Sequence, residues 1–287
     1  KEARWGGEPD PDKQSIPITD RVLIDAAKKE LRLHRADMAG TSFIVPLPQD
    51  NLTEEGIRTA VINEFFFAIS RGRLEVTVGD KVLDESTIVE AAAALGDSSR
   101  QSSSFREFLR LAASKSKQQT LATVKSGWHK TFDESCFDPM ELTNLKDTFE
   151  LGDPVVVDLP LAIKTKKGEV QSTTFRVFLQ SDEELERSEE LFIRQDLAID
   201  GEKKLKSVRA AQPVLALTFI EDPLLSEFLV CAEEPTHRTW NAQRPKVKNA
   251  YMTPNVFLAA VRNAAAKLVQ LVAPVGQRDE TALAVYF

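Results

Sequence analysis

Two short stretches carry residues that could contact a phosphate or another small ligand. Gly40 and Thr41 open an apolar run, GTSFIVPLP, where the Thr41 hydroxyl could touch a nucleotide or simply begin a β-strand. The turn KTKKGE crowds three lysines together, Lys164, Lys166 and Lys167, and a lysine has the reach and point charge to meet a phosphate. Lysines at a hairpin tip also serve solubility alone. Neither stretch is a complete catalytic site, so no catalytic residue is assigned.

A basic segment, residues 98–130, stands out in a chain whose formal net charge is −7. It holds seven lysines and arginines against one acid, Glu107. Such a segment could bind nucleic-acid phosphates while a tryptophan stacks on a base. The alternative is a solvated helix surface, with the tryptophan anchoring a loop to the core. The candidate nucleic-acid-binding residues are Arg106, Arg110, Lys115, Lys117 and Trp128.

Signatures of metal binding and nucleophilic catalysis are missing from the sequence. Cys136 and Cys231 have no CxxC or histidine-rich neighbourhood, so we predict no metal site and two reduced thiols, as in a cytoplasmic protein. His237 follows two glutamates, but no second ligand lies at metal-binding spacing, and a capping or packing role is favoured. The motifs GxGxxG, GxxxxGK[ST] and GxSxG are absent, as is any apolar run of the about 20 residues that span a bilayer.

Helix and strand patterns are mixed rather than alternating, which predicts an α+β fold. A short helix is expected after Asp20, and the strongest helix after Asn51, its predicted N-cap. Gly72 should end that second helix. No firm periodicity appears between residues 127 and 152. The apolar stripe predicted for the second helix is Ile57, Val61, Phe65, Ala68 and Ile69.

After residue 152 the pattern becomes richer in strands. PVVVDLPLAIKT and EVQSTTFRVFLQ are predicted to form a hairpin, because Gly168 in the KKG turn can take a positive φ. ELFIRQDLAI and PVLALTFI are predicted as one further strand each. Two helices are expected to begin at Pro223, after the N-cap Asp222, and at Pro254.

The order of three features resembles the GHKL superfamily of ATPases (gyrase, Hsp90, histidine kinase and MutL type). GTSFIVPLP is similar to the Gly-Thr strand that closes the ATP site in those proteins. IRTAVINEFFFAISRGRLEVTVGD (57–80) resembles the helix that leads into the transducer domain of gyrase-like members. TFIEDPLLSEFLVCAEEPTHRTWN (218–241) is similar to regions that follow the ATPase domain in uncharacterised bacterial members, whose genes often lie near mobile-element or phage-defence loci.

This resemblance implies a transducer-like α+β fold, of the ribosomal S5 domain 2 type, with a mixed sheet, packed helices and a helical extension. Residues 1–50 would be the tail of the ATPase domain, residues 51–152 a helix-rich connector, and residues 153–287 the transducer-like domain with its C-terminal helix. ATP and Mg²⁺ would bind in the parent protein, with Gly40 and Thr41 at the nucleotide and Lys166 reaching the γ-phosphate.

The chain also departs from the GHKL pattern, because it has no helical Glu with a nearby Asn, no DxGxG loop and no glycine-rich lid. The resemblance therefore implies a non-catalytic coupling region that relays the ATP state to dimer or partner contacts. The catalytic half would lie upstream or in a partner chain, in a cytoplasmic, antiviral-defence setting without a membrane. The alternative is a stand-alone module that binds nucleic acid or protein through residues 98–130.

Overall fold

The structure, a computed structural model, describes residues 20–30, 52–115, 120–205, 208 and 210–273. It divides into two units, residues 1–52 and 53–287. In the first unit, helix α1 (Arg21–Glu30) begins as predicted after Asp20, whose carboxylate accepts hydrogen bonds from the backbone N–H groups of Val22 and Leu23. Within the described ranges, no helix is both long and apolar enough to cross a membrane.

A six-stranded mixed sheet organises the second unit and confirms the predicted α+β class. Its strands lie in the spatial order β3-β4-β5-β8-β6-β7. The pairs β3–β4 and β6–β8 are parallel, and the other neighbouring pairs are antiparallel. The strands are β3 (Ala122–Thr123), β4 (Val155–Lys164), β5 (Val170–Ser181), β6 (Glu189–Arg194), β7 (Leu197–Ile199) and β8 (Val214–Ile220). A separate hairpin pairs β1 (Val76–Val78) with β2 (Lys81–Leu83).

Strand β8 lies inside the sheet, and all seven of its residues are buried. Its side chains alternate between two hydrophobic clusters, because successive residues of a strand point to opposite faces. Val214 and Ala216 belong to one cluster, whereas Leu215 and Leu217 belong to the other. The continuous apolar run of β8 is therefore explained by helices that cover both faces of the sheet.

Helices α2 (Glu54–Ser70), α3 (Ile88–Ala93) and α4 (Ser103–Lys115) form the layer on one face. The opposite face is covered by α5 (Pro139–Glu150), α6 (Pro223–Ala232), α7 (Pro245–Ala250) and α8 (Pro254–Val272). Helices α6 and α8 begin where the sequence predicted, and Asp222 caps α6 by accepting from the N–H groups of Leu224 and Leu225. The sheet is thus the middle of three layers.

Three details of the helix predictions were wrong. Helix α2 begins at Glu54 and is capped by Thr53, whose Oγ1 accepts from the N–H of Gly56 at 3.0 Å, and not by Asn51. Its buried residues are Ile62, Phe66, Phe67, Ala68 and Ile69, so the end of the predicted stripe is confirmed, whereas Ile57 at its start is 38% exposed. Helix α5 was not predicted at all. The C-terminal end of α2 was predicted correctly, with Gly72 at φ 63°.

Residues on both sides of position 152 contribute to the same sheet and the same cores. Strand β3 pairs with β4 across that position, and α4 belongs to the cluster that packs on β8. The domain boundaries at residues 50 and 152 stay predictions. Gly40 and Thr41, the predicted nucleotide contacts, lie outside the described residues.

Candidate functional site

The β4–β5 hairpin presents the predicted phosphate-sensing lysine at an exposed tip. The strands pair from Val155–Leu179 to Lys164–Val170, and Gly168 closes the turn with φ 90°, as predicted. Lys164, Lys166 and Lys167 are all exposed. Counting only the described residues, none of these three ammonium groups lies within 4.0 Å of a carboxylate. The tip therefore concentrates three lysines, with Glu169 as the one acid in the same turn.

The tip of this hairpin is held by the segment that precedes α8. The N–H of Lys166 donates to the Ala250 carbonyl at 2.8 Å, and the N–H of Met252 donates to the Lys164 carbonyl at 2.8 Å. Thr165 and Tyr251 form an antiparallel bridge between those two contacts. The lysine side chains thus extend from a backbone that pairs with β5 on one side and is hydrogen-bonded to residues 250–252 on the other. Such support positions a charge precisely.

A cavity of about 1230 Å³, including space open to solvent, lies beside the hairpin and shares Lys164 with it. Its walls are the loop 126–130, the strands β4 and β5, and the start of α8. Two buried polar atoms in this wall, Thr173 Oγ1 and His129 Nδ1, find no hydrogen-bond partner in the described part of the chain. With Lys130 and Lys164 also in the lining, the cavity offers positive charge beside apolar surface.

His129 is a hydrogen-bonding group in this cavity rather than a charged one. Burial lowers its pKa, and the neighbouring Lys130 and Lys267 lower it further. The imidazole is therefore mostly neutral at pH 7, with one nitrogen as donor and the other as acceptor. The positive charge in this wall comes from the lysines alone.

The sequence also raised His237 and the two cysteines as groups that could bind a metal or act in catalysis. No cluster of His, Cys, Asp and Glu suited to a metal ion occurs among the residues that the structure describes. The Nδ1 of His237 lies 3.0 Å from Glu233, whose carboxylate is bound by the buried guanidinium of Arg194. Cys136 is buried, and burial raises the pKa of Cys231, which keeps the Cys231 thiol protonated.

The basic segment is largely engaged with its own fold. Arg106 is half-buried and donates to Ser99 Oγ and the Gln101 carbonyl. Arg110 is exposed and forms a bidentate pair with Glu107 at 2.6 and 2.8 Å. Lys117 and the side chain of Lys115 lie outside the described residues.

Trp128 is buried, so the base-stacking interpretation of this residue was wrong. Only 1% of the residue is exposed, and its Nε1 donates to the Pro160 carbonyl at 2.7 Å. A ring in this position anchors the loop 126–130 to the core, which was the alternative interpretation.

The nucleic-acid hypothesis makes a prediction that does not depend on Trp128. It expects binding to a short DNA or RNA duplex that weakens steeply between about 50 and 200 mM salt. Neutralising Lys115 and Lys117 together should reduce the affinity and flatten the salt dependence, because each phosphate contact contributes to that slope. Gel-shift titration at two salt concentrations measures both effects.

Neutralising Lys164 and Lys167 in the hairpin tip is the matched control, since it removes the same charge elsewhere. The absence of any shift at low salt, or an equal loss in both variants, would contradict a binding face in residues 98–130.

No protein-family model matches the chain, and neither a curated protein nor a solved structure matches it. The arguments for function therefore come from the geometry described above and from the resemblance in the sequence.

Proposed function

We propose that this chain is the non-catalytic coupling region of a GHKL-type ATPase, built on a transducer-like fold of the ribosomal S5 domain 2 type. In this proposal Lys166 contacts the γ-phosphate of ATP held by the nucleotide-binding half. That half would be an upstream part of the polypeptide or a partner chain, and Gly40 and Thr41 would form the last wall of its pocket. The supporting observation is the hairpin tip, which is hydrogen-bonded to residues 250–252 and whose lysines have no carboxylate within 4.0 Å among the described residues.

The chemistry of the tip suits a phosphate contact. A lysine carries a compact charge on a flexible stem, and it binds phosphate as a point charge. Mg²⁺-ATP supplies the negative charge and the bond to be broken, whereas this chain has neither a DxGxG loop nor a glycine-rich lid to hold the nucleotide. The chain alone should therefore not hydrolyse ATP.

The proposed output is mechanical. Loss of the γ-phosphate would release Lys166, and the hairpin could then shift with the segment 250–252, to which it is hydrogen-bonded. That segment leads directly into α8, whose buried face packs on the sheet. A phosphate-dependent contact would thus bias the position of a whole helix and, through it, a homodimer or partner interface. Such a switch fits a cytoplasmic bacterial ATPase of antiviral defence.

Replacing Lys166 with alanine tests the proposal in the full-length polypeptide or complex that carries the nucleotide-binding half. We expect the rate of ATP hydrolysis to fall about 10–100-fold, because the variant loses one charged contact to the transferred phosphate. The affinity for ADP should stay unchanged, since ADP lacks the γ-phosphate. Steady-state phosphate release and ADP titration measure the two quantities.

Lys167→Ala is the matched control, because it removes the same charge one residue further along the same turn. Its hydrolysis rate should stay within about twofold of the original, which is far less than the loss of a positioned contact. Equal rates for Lys166→Ala and the unmodified protein, or a full-length protein that binds no ATP, would contradict the proposal.

A further inference from the structure

Strand β4 has an open edge on the side away from β5. Its neighbour there is β3, which is two residues long and pairs with Val157 and Asp158 alone, whereas β4 continues to Lys164. Among the described residues, no other strand lies on that side of β4. The open edge of a strand presents backbone N–H and C=O groups that can pair with another chain.

The backbone groups that point to this open edge belong to every second residue of β4, which includes Pro160, Ala162 and Lys164. The Pro160 carbonyl accepts from Trp128 Nε1 at 2.7 Å, and the Lys164 carbonyl accepts from the N–H of Met252 at 2.8 Å. Ala162 lies between these two contacts and is exposed. No residue in the described part of the chain bonds its N–H or C=O from this side. One complete backbone pairing position is therefore unused.

The cavity beside the lysine hairpin opens onto this edge. Pro160, Leu161 and Ala162 belong to its lining, with the loop 126–130 at one end and the start of α8 at the other. The four residues from Pro160 to Lys164 cover about 13 Å of strand, so the opening has the length of about four residues of an added strand.

The two sides of the edge differ in chemistry. The side chain of Leu161 belongs to the hydrophobic cluster under α8, so that of Lys164, three residues on, points to the other side of the sheet. Two apolar residues in the lining, Met252 and Val256, are 40% and 46% exposed. Two lysines, Lys130 and Lys164, also line the cavity, and no described lining residue is acidic. An added strand would thus meet apolar surface on the α8 side and a lysine on the other.

We propose that this edge of β4 binds an extended, acidic segment of a partner protein, which adds a strand to the sheet. Its backbone exchanges hydrogen bonds with Ala162, its apolar side chains cover Val256, and its carboxylates lie near Lys164 and Lys130. The side chains of a strand alternate between two sides, which matches an edge that is apolar on one side and positive on the other. A free phosphate would meet the lysines but would leave the strand edge uncovered. The inference does not depend on the proposed ATPase role.

The test uses the chain itself and a fluorescent, end-capped peptide of the sequence Glu-Val-Glu-Val-Glu-Val. Fluorescence polarisation at low salt is expected to give a Kd of about 100 μM or tighter. The same peptide with lysine in place of each glutamate should bind at least about tenfold more weakly, because its charge then repels the lysines of the site. The order Glu-Glu-Glu-Val-Val-Val keeps the charge but loses the alternation, so it should bind at least about fivefold more weakly.

Ala162→Pro removes the N–H that the peptide would meet. This N–H points away from β5, and Pro160 already occupies an equivalent position in the strand, so the sheet loses no hydrogen bond. Binding of the alternating acidic peptide should weaken at least about tenfold, because the variant removes a donor and places a proline ring at the pairing position.

Replacing both Lys130 and Lys164 with glutamine should weaken binding at least about fivefold, and this variant carries the test even if Ala162→Pro fails to fold. The matched control replaces Lys81 and Lys203, two exposed lysines outside the cavity, and should bind like the unmodified chain. Three results would each overturn the proposal: no binding of the alternating acidic peptide, equal binding of its lysine version, or full binding by the Lys130 and Lys164 double variant. A dimer of the unmodified chain that Ala162→Pro dissociates would assign the edge to a second copy and overturn it too.

Discussion

Replacing Trp128 with alanine is expected to lower the free energy of unfolding by about 3–5 kcal/mol, the usual cost of removing a large aromatic side chain from a core. The indole ring packs against Phe132 and Phe175, with ring centroids 5.6 and 6.1 Å apart. Its Nε1 donates to the Pro160 carbonyl at 2.7 Å. The substitution would leave that carbonyl without a donor and remove the ring beneath the Lys267 ammonium, 5.7 Å from its centroid. Urea unfolding at equilibrium measures the change.

Trp128→Phe separates the two contributions. It keeps most of the apolar packing and loses the N–H, so a decrease of about 1–3 kcal/mol is expected from the unpaired Pro160 carbonyl. Should Trp128→Ala instead unfold at the same urea concentration as the unmodified protein, the ring would not be part of the core.

The anchoring of Trp128 also matters for the candidate site. The next two residues, His129 and Lys130, line the cavity beside the lysine hairpin. The indole therefore fixes the loop that forms one wall of that cavity, and a weakened anchor would loosen the wall before it unfolded the sheet. Loops held by one buried aromatic residue are local units of stability in this sense.

Local signals in the sequence predicted much of the second unit. Asp222 before Pro223 marked the start of α6, because an aspartate cap and a proline at the first helical position each satisfy a helix N-terminus. Gly168 marked the hairpin turn, since its φ of 90° is accessible chiefly to glycine. Such signals involve only a few neighbouring residues, so they can be recognised without the fold.

Where local signals are weak or ambiguous, the predictions failed. Helix α5 follows an Asp138–Pro139 start, but only Leu142, Leu145 and Phe149 are buried along it, too few to give a firm period. ELFIRQDLAI was predicted as one strand, whereas β6 and β7 form a hairpin whose turn contains Gln195 at φ 56°. The two-residue turn, Gln195–Asp196, contains an aspartate but no glycine or asparagine at the position of positive φ, so its local signal is weak and the packing of the sheet also sets this reversal.

The candidate sites were predictable only in part. The sequence indicated Lys166 at a hairpin tip, but the hydrogen bonds from residues 250–252 that fasten the hairpin join distant parts of the chain. Glu190 ends an acidic stretch, SDEELERSEE (181–190), whose composition is typical of a solvated surface. Its burial arises because β6 lies beside β8 and because the backbone of Lys204 and Leu205 covers the carboxylate. No local pattern encodes those long-range contacts.

The second large loss of stability is expected at the ion pair between Arg194 and Glu233. Their side chains are 10% and 3% exposed, with Nη2 and Oε2 2.8 Å apart, and Ser226 Oγ lies 3.4 Å from the guanidinium. The pair joins the end of β6 to the residue that follows α6, and Glu233 also contacts His237 at 3.0 Å. Because the arginine is buried, it depends on this carboxylate for compensation of its charge.

Glu233→Gln keeps the shape of the side chain and removes the charge. It should lower the free energy of unfolding by about 3–5 kcal/mol, because the guanidinium charge then stays buried without a counter-ion. Glu107→Gln is the control, since it breaks the exposed pair with Arg110 and should change stability by less than about 1 kcal/mol. Replacing both Arg194 and Glu233 with methionine should recover most of the loss, because no uncompensated charge remains. Urea unfolding of all four proteins measures these free energies. Equal losses for Glu233→Gln and Glu107→Gln would mean that water reaches the Arg194–Glu233 pair.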